Sequence, residues 1–179
     1  MEFYQEPSGE IIVKRENADA FLLTEKCRNF IIAMKTLLIS DYYNSYRGCQ
    51  DMNLKSRANT TYYDFLNVRQ FIRCNFNQFD NIKDIDESGC FHFEFVNCPL
   101  RGTCKYENVI CNPTFTTHLT DSDRLITKMI IDSMNTEQIA LSLSRSIHTI
   151  NNRRRTILKK TGCKNVAQLT AFCYEHKII

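Results

Sequence analysis

EQIALSLSRSIHTINNRRRTILKKTG, residues 137–162, contains two helical periods with a break between them. Ile139, Ala140 and Leu143 fall on one face of a short helix, and Ser144-Arg145-Ser146 then interrupts the period. The Ser146 hydroxyl suits a helix N-cap, because it can accept from the free backbone N–H groups of the next turn. The helix that follows has Ile147, Ile150, Ile157 and Leu158 as apolar anchors. Its other positions are Asn151, Asn152, Arg153, Arg154, Arg155, Lys159 and Lys160. From Arg145 to Lys164 there are seven basic residues and no acidic one. A short helix, a tight turn and a second helix with a basic, amide-rich face fit a DNA major groove. Amide and guanidinium groups pair with base edges, and lysines with phosphates. The plain alternative is that Arg153-Arg154-Arg155 is a solvated face.

Working outward, LTDSDRLITKMIIDSMNT (119–136) reads as a further amphipathic helix leading into the pair. The stretch from Leu119 to Thr170 resembles, without gaps, the LuxR/GerE-type helix-turn-helix. Leu119-Thr120 resembles its opening, and Gln138-Ile139-Ala140 with Leu143 its scaffold helix. Ser146, Thr149 and Ile150 match the head of its recognition helix. Ile157-Leu158 and Lys160 match the end of that helix, and Gly162, Asn165 and Ala167 match the start of the last one. The resemblance implies a four-helix DNA-binding unit. Asn151, Asn152 and Arg155 would read bases, while Thr149, Arg153 and Lys159 face the phosphate backbone, with Ser146 and Lys160 on the same surface. Two asparagines imply a preference for adenine, to which an amide bonds bidentately. Double-stranded DNA is the expected partner, bound by a homodimer on two half-sites. Four positions depart from the family pattern. Ser122-Asp123 replaces an Arg-Glu pair, weakening an expected first-helix salt link. Ser133 replaces a Gly, Thr161 a Leu and Val166 an Arg, and Thr161 puts the packing of the recognition helix's end in question.

Charge follows the same division. From Leu119 onward there are 10 Lys and Arg against 5 Asp and Glu, whereas residues 1–118 sum to −2 of the chain's +3. The basic excess therefore belongs to the C-terminal segment, as an electrostatic footprint on nucleic acid requires. The 179 residues suit one domain or two small ones. The expected division is a small N-terminal α+β cysteine-rich module, 1–115, and the helix-turn-helix domain, 116–179. The fold class is thus mainly α, with some β. There is no apolar run of membrane-spanning length, and MEFYQEPSGE does not begin like a signal peptide. A cytoplasmic protein without a membrane partner is expected.

Nine cysteines in a reduced compartment point to metal binding or simple burial rather than disulfides. Cys90, Cys98, Cys104 and Cys111 fall within 22 residues, with Cys74 upstream. Four thiolates suffice for a tetrahedral zinc. Pro99 and Gly102 make the Cys98–Cys104 segment a tight loop. Cys98, Cys104 and Cys111 form the core of this reading, with Cys74 or Cys90 as the fourth ligand and His92 as an outside candidate. Structural zinc is the expected cofactor. An iron–sulfur cluster uses the same ligands, and the alternative to both is a set of buried thiols.

The rest of the N-terminal segment is less specific. The apolar spacing from Asn17 to Tyr46 predicts one long helix ending at Arg47-Gly48, and Glu10–Lys14 a short strand. Thr60–Phe79 is an aromatic segment of open type, with Cys74 in an extended-looking part of it. Asp80–Gly89 is a solvated acidic loop, and Phe91, Phe93 and Phe95 alternate as in a strand. The whole points to a DNA-binding transcriptional regulator. A sigma-type subunit bound to RNA polymerase is the nearest alternative, and a redox- or iron-sensing regulator the next. Catalysis is not expected, since no motif pairs a nucleophilic Cys with a His.

Overall fold

The computed structural model describes residues 1–16, 18–80, 82–87, 89–176 and 178, and is mainly helical with one small antiparallel sheet. The chain divides into two compact units, Met1–Thr114 and Phe115–Ile179. Among the described residues, no helix is long and apolar enough to cross a membrane.

In the first unit, β1 (Glu2–Gln5), β2 (Ile11–Lys14) and β3 (Phe21–Leu22) form a meander, with Phe3 opposite Val13 and Ile12 opposite Leu22. Period-two alternation puts Phe3, Ile11 and Val13 on the buried face. Three helices follow: α1 (Arg28–Asp41), α2 (Tyr43–Met52) and α3 (Thr60–Asn75). Phe30, Ile31, Met34 and Leu38 of α1 recur at helical spacing and are buried together with Val68, Phe71 and Ile72 of α3. The Asn59 side chain accepts from the Tyr62 N–H and so caps α3.

The expected long helix from residue 17 to 46 is three structures instead. Its first residue, Asn17, lies outside the described residues. Phe21-Leu22 pairs with β2, and the helical run is then broken at Tyr42. Tyr42 adopts φ −138°, which carries its ring into the core beside Phe71, Phe91 and Phe93. An apolar period does not distinguish a short buried strand from the start of a helix. Gly48 does not end the run either. It lies within α2, and a Cβ there would come within 2.9 Å of Ile110 Cγ1.

The Phe91–Phe95 alternation builds no ladder, only an isolated bridge between Ile85 and Phe91. Phe91 and Phe93 join Tyr42, Phe71 and Phe76 in a ring cluster with centroids 5.1–6.5 Å apart. Phe95 is exposed beneath the Arg101 guanidinium. Aromatic packing, rather than strand pairing, holds this segment. The acidic loop also differs from expectation. Asp84 is buried and its carboxylate accepts from the Phe3 N–H at 2.5 Å, tying the loop to β1.

The second unit consists of α4 (Asp121–Ile131), α5 (Thr136–Ser142), α6 (Ile147–Thr161) and α7 (Val166–Glu175). Its core is Leu119, Ile126, Ile130, Ile139, Ala140, Ile150, Ile157, Leu169 and Cys173. Every helix carries a side-chain N-cap: Thr120, Asn135, Ser146 and Asn165 respectively, the first two as reciprocal capping boxes. The chain reverses at left-handed residues. Ser133 (φ 63°) follows α4, Ser144 (φ 51°) lies between α5 and α6, and Gly162 (φ 69°) ends α6. Ser133 thus occupies a backbone position that favours glycine.

Candidate nucleic-acid interface and thiol cluster

The turn between α5 and α6 is fixed at both ends. The Arg145 N–H donates to the Ala140 carbonyl at 2.9 Å, and Ser146 Oγ accepts from the Thr149 N–H at 3.1 Å. Ile150 and Ile157, seven residues apart, bury one face of α6. Residues 148, 151, 152, 155 and 159, spaced by three and four, then lie on the opposite face. His148, Asn151, Asn152, Arg155 and Lys159 are all exposed there, and Ser146 and Thr149 are exposed at the helix N-terminus. Asn152 Nδ2 lies 3.0 Å from His148 Nε2, so the two side chains share a hydrogen bond on that surface. His148 was not singled out in the sequence. Its position one turn before Asn152 was the available signal.

Arg153 and Lys160 sit differently. Lys160 Nζ donates to Asp123 Oδ2 at 2.6 Å, and Arg153 Nη1 to Asp123 Oδ1 at 3.4 Å. The Asp123 side chain is fully buried, and Oδ2 also accepts from the Thr120 N–H at 3.1 Å in the α4 capping box. Burial would raise its carboxyl pKa, but Lys160 and the Thr120 donors outweigh it and hold the group below the ordinary value. Asp123 thus draws its cations from α6. Of the eight residues expected at the DNA surface, Lys160 is half-buried and engaged inside the unit, while Arg153 reaches Asp123 from an exposed position. The other six are solvent-exposed. Thr161, the departure that put the end of α6 in question, donates its hydroxyl to the Ile157 carbonyl at 3.0 Å, and Gly162 caps the helix.

The thiol cluster lies in the first unit. Cys74, Cys98, Cys104 and Cys111 all line one open cavity of about 650 Å³. Cys74 comes from the last turn of α3, not from an extended segment as its neighbours suggested. Its neighbour Asn75 is fully buried and acts as a clamp. Asn75 Nδ2 donates to the Ile110 carbonyl at 2.9 Å, Oδ1 accepts from the Asn112 N–H at 3.2 Å, and its carbonyl accepts from the Glu94 N–H at 3.0 Å. These bonds place Cys111 beside the end of α3. Ser45 Oγ donates to the Val109 carbonyl, which presses the same segment onto α2.

The Cys98–Cys104 loop is built from turns. The Arg101 N–H donates to the Cys98 carbonyl and the Cys104 N–H to the Leu100 carbonyl, with Gly102 left-handed at φ 84°. Glu107 Oε2 accepts from the Gly102 N–H at 2.6 Å and its Oε1 lies 3.7 Å from Arg101. Gln70 Nε2 donates to Cys74 Sγ at 3.1 Å. Burial, with smaller contributions from the thiols of residues 111, 98 and 104, pushes the Cys74 thiol up to about 11. Among the described residues, no three of these sulfurs all lie within 4.8 Å of one another.

Cys90, the other candidate for the fourth position, does not line the cavity. It sits in a tight turn, its N–H donating to Asp86 Oδ1 at 3.0 Å. His92 Nε2 lies 3.2 Å from Asp86 Oδ2 in the same turn. Cys49 and Cys173 are core residues. Comparison of the chain with protein-family models, curated proteins and solved structures gave no match.

Proposed function

We propose that the second unit reads duplex DNA in a sequence-dependent way and that the chain is a transcriptional regulator of the LuxR type. The observation that carries this reading is the exposed face of α6. Five hydrogen-bonding side chains at residues 148–159 stand opposite two buried isoleucines, on a helix whose N-terminus and preceding turn are both fixed. A rigid helix with such a face suits the major groove, where each base pair presents a distinct pattern of donors and acceptors. Asn151, Asn152 and Arg155 are the proposed base readers. His148 supports Asn152 by orienting its amide, and Lys159 contacts phosphate. Arg153 and Lys160 hold α6 against α4 through Asp123, and so set the angle at which the face is presented.

The isolated-face alternative, a basic helix that merely stays hydrated, makes a different prediction. A selection from randomised duplexes, followed by fluorescence anisotropy, separates the two. The expected result is one enriched motif bound at least 10³-fold more tightly than a scrambled duplex of the same length, the low end of specific recognition. Equal, weak binding to both duplexes would remove the reading. A steep fall in affinity with salt is also expected, because neutralising phosphates releases counterions.

A further inference from the structure

Cys74, Cys98, Cys104 and Cys111 come from two parts of the first unit that are 24 residues apart in sequence, α3 and the loop from residue 96 to 111. The loop has no strand or helix. Its only fully buried apolar side chain is Ile110, with Val96 at its edge, so apolar packing alone orders it weakly. The polar clamps at Ser45 and Asn75 fix its last residues, 109–112, and leave 97–108 held by turns. Across that span the half-buried residues are Cys98, Cys104, Tyr106 and Glu107, and all four line the cavity. A structural metal can order a loop that has little apolar packing of its own.

We propose that these four thiols bind one Zn²⁺, with Cys74 as the fourth ligand, and that the ion joins the C-terminal turn of α3 to the loop. Binding exchanges four S–H bonds for four Zn–S bonds and releases four protons, with no change in oxidation state. The product carries two net negative charges. Arg73 and Arg101 line the same cavity, together with Glu6 and Glu107. Gln70 supplies the outer-shell hydrogen bond that orients a thiolate ligand, and already donates to Cys74 Sγ. A tetrahedron with Zn–S of about 2.3 Å puts its sulfurs roughly 3.8 Å apart, so the thiols close inward on binding. Zinc is favoured over an iron–sulfur cluster because the set is a single one on a clamped helix end, and it resembles a structural tie rather than an exposed redox centre.

The test is metal analysis of the full chain purified without air, with zinc, iron and acid-labile sulfide measured together. About one zinc per chain is expected, with no colour. Cys74→Ser and Cys104→Ser should each lower the zinc content at least several-fold, while Cys90→Ser retains it. Because a serine variant can fail to fold, the unaltered chain is also loaded with Co²⁺ in place of zinc. The intense visible bands of tetrahedral cobalt with four thiolates are expected, and are lost to a thiol-blocking reagent. Absence of metal, iron with sulfide, or zinc that depends on Cys90 and not on Cys74 would each overturn the proposal. None of these readouts involves DNA, so the fate of the DNA-binding reading is decided separately.

Discussion

Asp123 shows how much one residue can organise. Its carboxylate closes the α4 capping box and accepts from two cations of α6 while fully buried. Removing one member of a buried charge set strands the others, and a lost cap adds to the cost, so Asp123→Ala should destabilise the second unit by roughly 2–4 kcal/mol. Urea unfolding measures this, and an unchanged midpoint would refute the role. On the exposed face, Arg155→Ala should weaken the selected duplex by about 10–100-fold with little effect on a scrambled one. Lys159→Ala should weaken both to a similar degree. Anisotropy on the two duplexes discriminates, and equal losses for both variants would refute the separation of base reading from phosphate contact.

At the scale of elements, two glycines do different things. Gly162 ends α6 in the left-handed region with open space around it, so Gly162→Ala should cost about 1 kcal/mol through backbone strain alone. Gly48 has helical geometry, but a Cβ there would meet Ile110 Cγ1 at 2.9 Å and Val109 Cγ1 at 3.3 Å. Gly48→Ala must push the 109–110 segment away from α2, at a cost of roughly 1–3 kcal/mol. It should also lower metal retention, because Cys111 follows that segment. Denaturation of the two variants beside zinc content tests the distinction, since only Gly48→Ala should move both. The helices of the second unit were legible because caps, turns and apolar period agree over 119–170. In the first unit they were not. Apolar residues at 21–38 fit a helix and a strand-plus-helix equally well, and only pairing with β2 selects between them.

For the whole molecule, pH acts on the two units with opposite sign. Burial and the neighbouring Glu94 raise the Asp84 carboxyl to about 8, despite the hydrogen bond from Phe3. A raised carboxyl favours the folded state while protonated. That contribution is complete below the ordinary carboxylate range and is lost as pH rises through about 8. Asp123 is lowered, so its contribution is present above the ordinary range and lost as the solution becomes more acidic. The first unit should therefore weaken between about pH 4 and 8, and Asp84→Asn should flatten that slope while leaving the acid limb of the second unit in place. Amide exchange of Phe3 and Thr149 followed across pH checks the two limbs. A first unit whose stability does not change over this range would refute the assignment to Asp84.

The sequence by itself determined the second unit's helices, its caps, the inward isoleucines of α6 and the composition of the opposite face. All of these follow from spacings of three and four residues and from local cap chemistry, which act within a few residues of one another. It also marked Cys98, Cys104 and Cys111 as a group, through their nearness in the chain and the turn residues between them. Tertiary structure alone decided that Cys74 rather than Cys90 joins them, because a buried Asn75 bonds the end of α3 to residues 94 and 110–112. It alone decided that Lys160 turns inward and that the exposed Arg153 reaches the same carboxylate, because their acceptor, Asp123, lies 37 and 30 residues away in sequence. Partners at such separations are chosen by packing, and no local period records them.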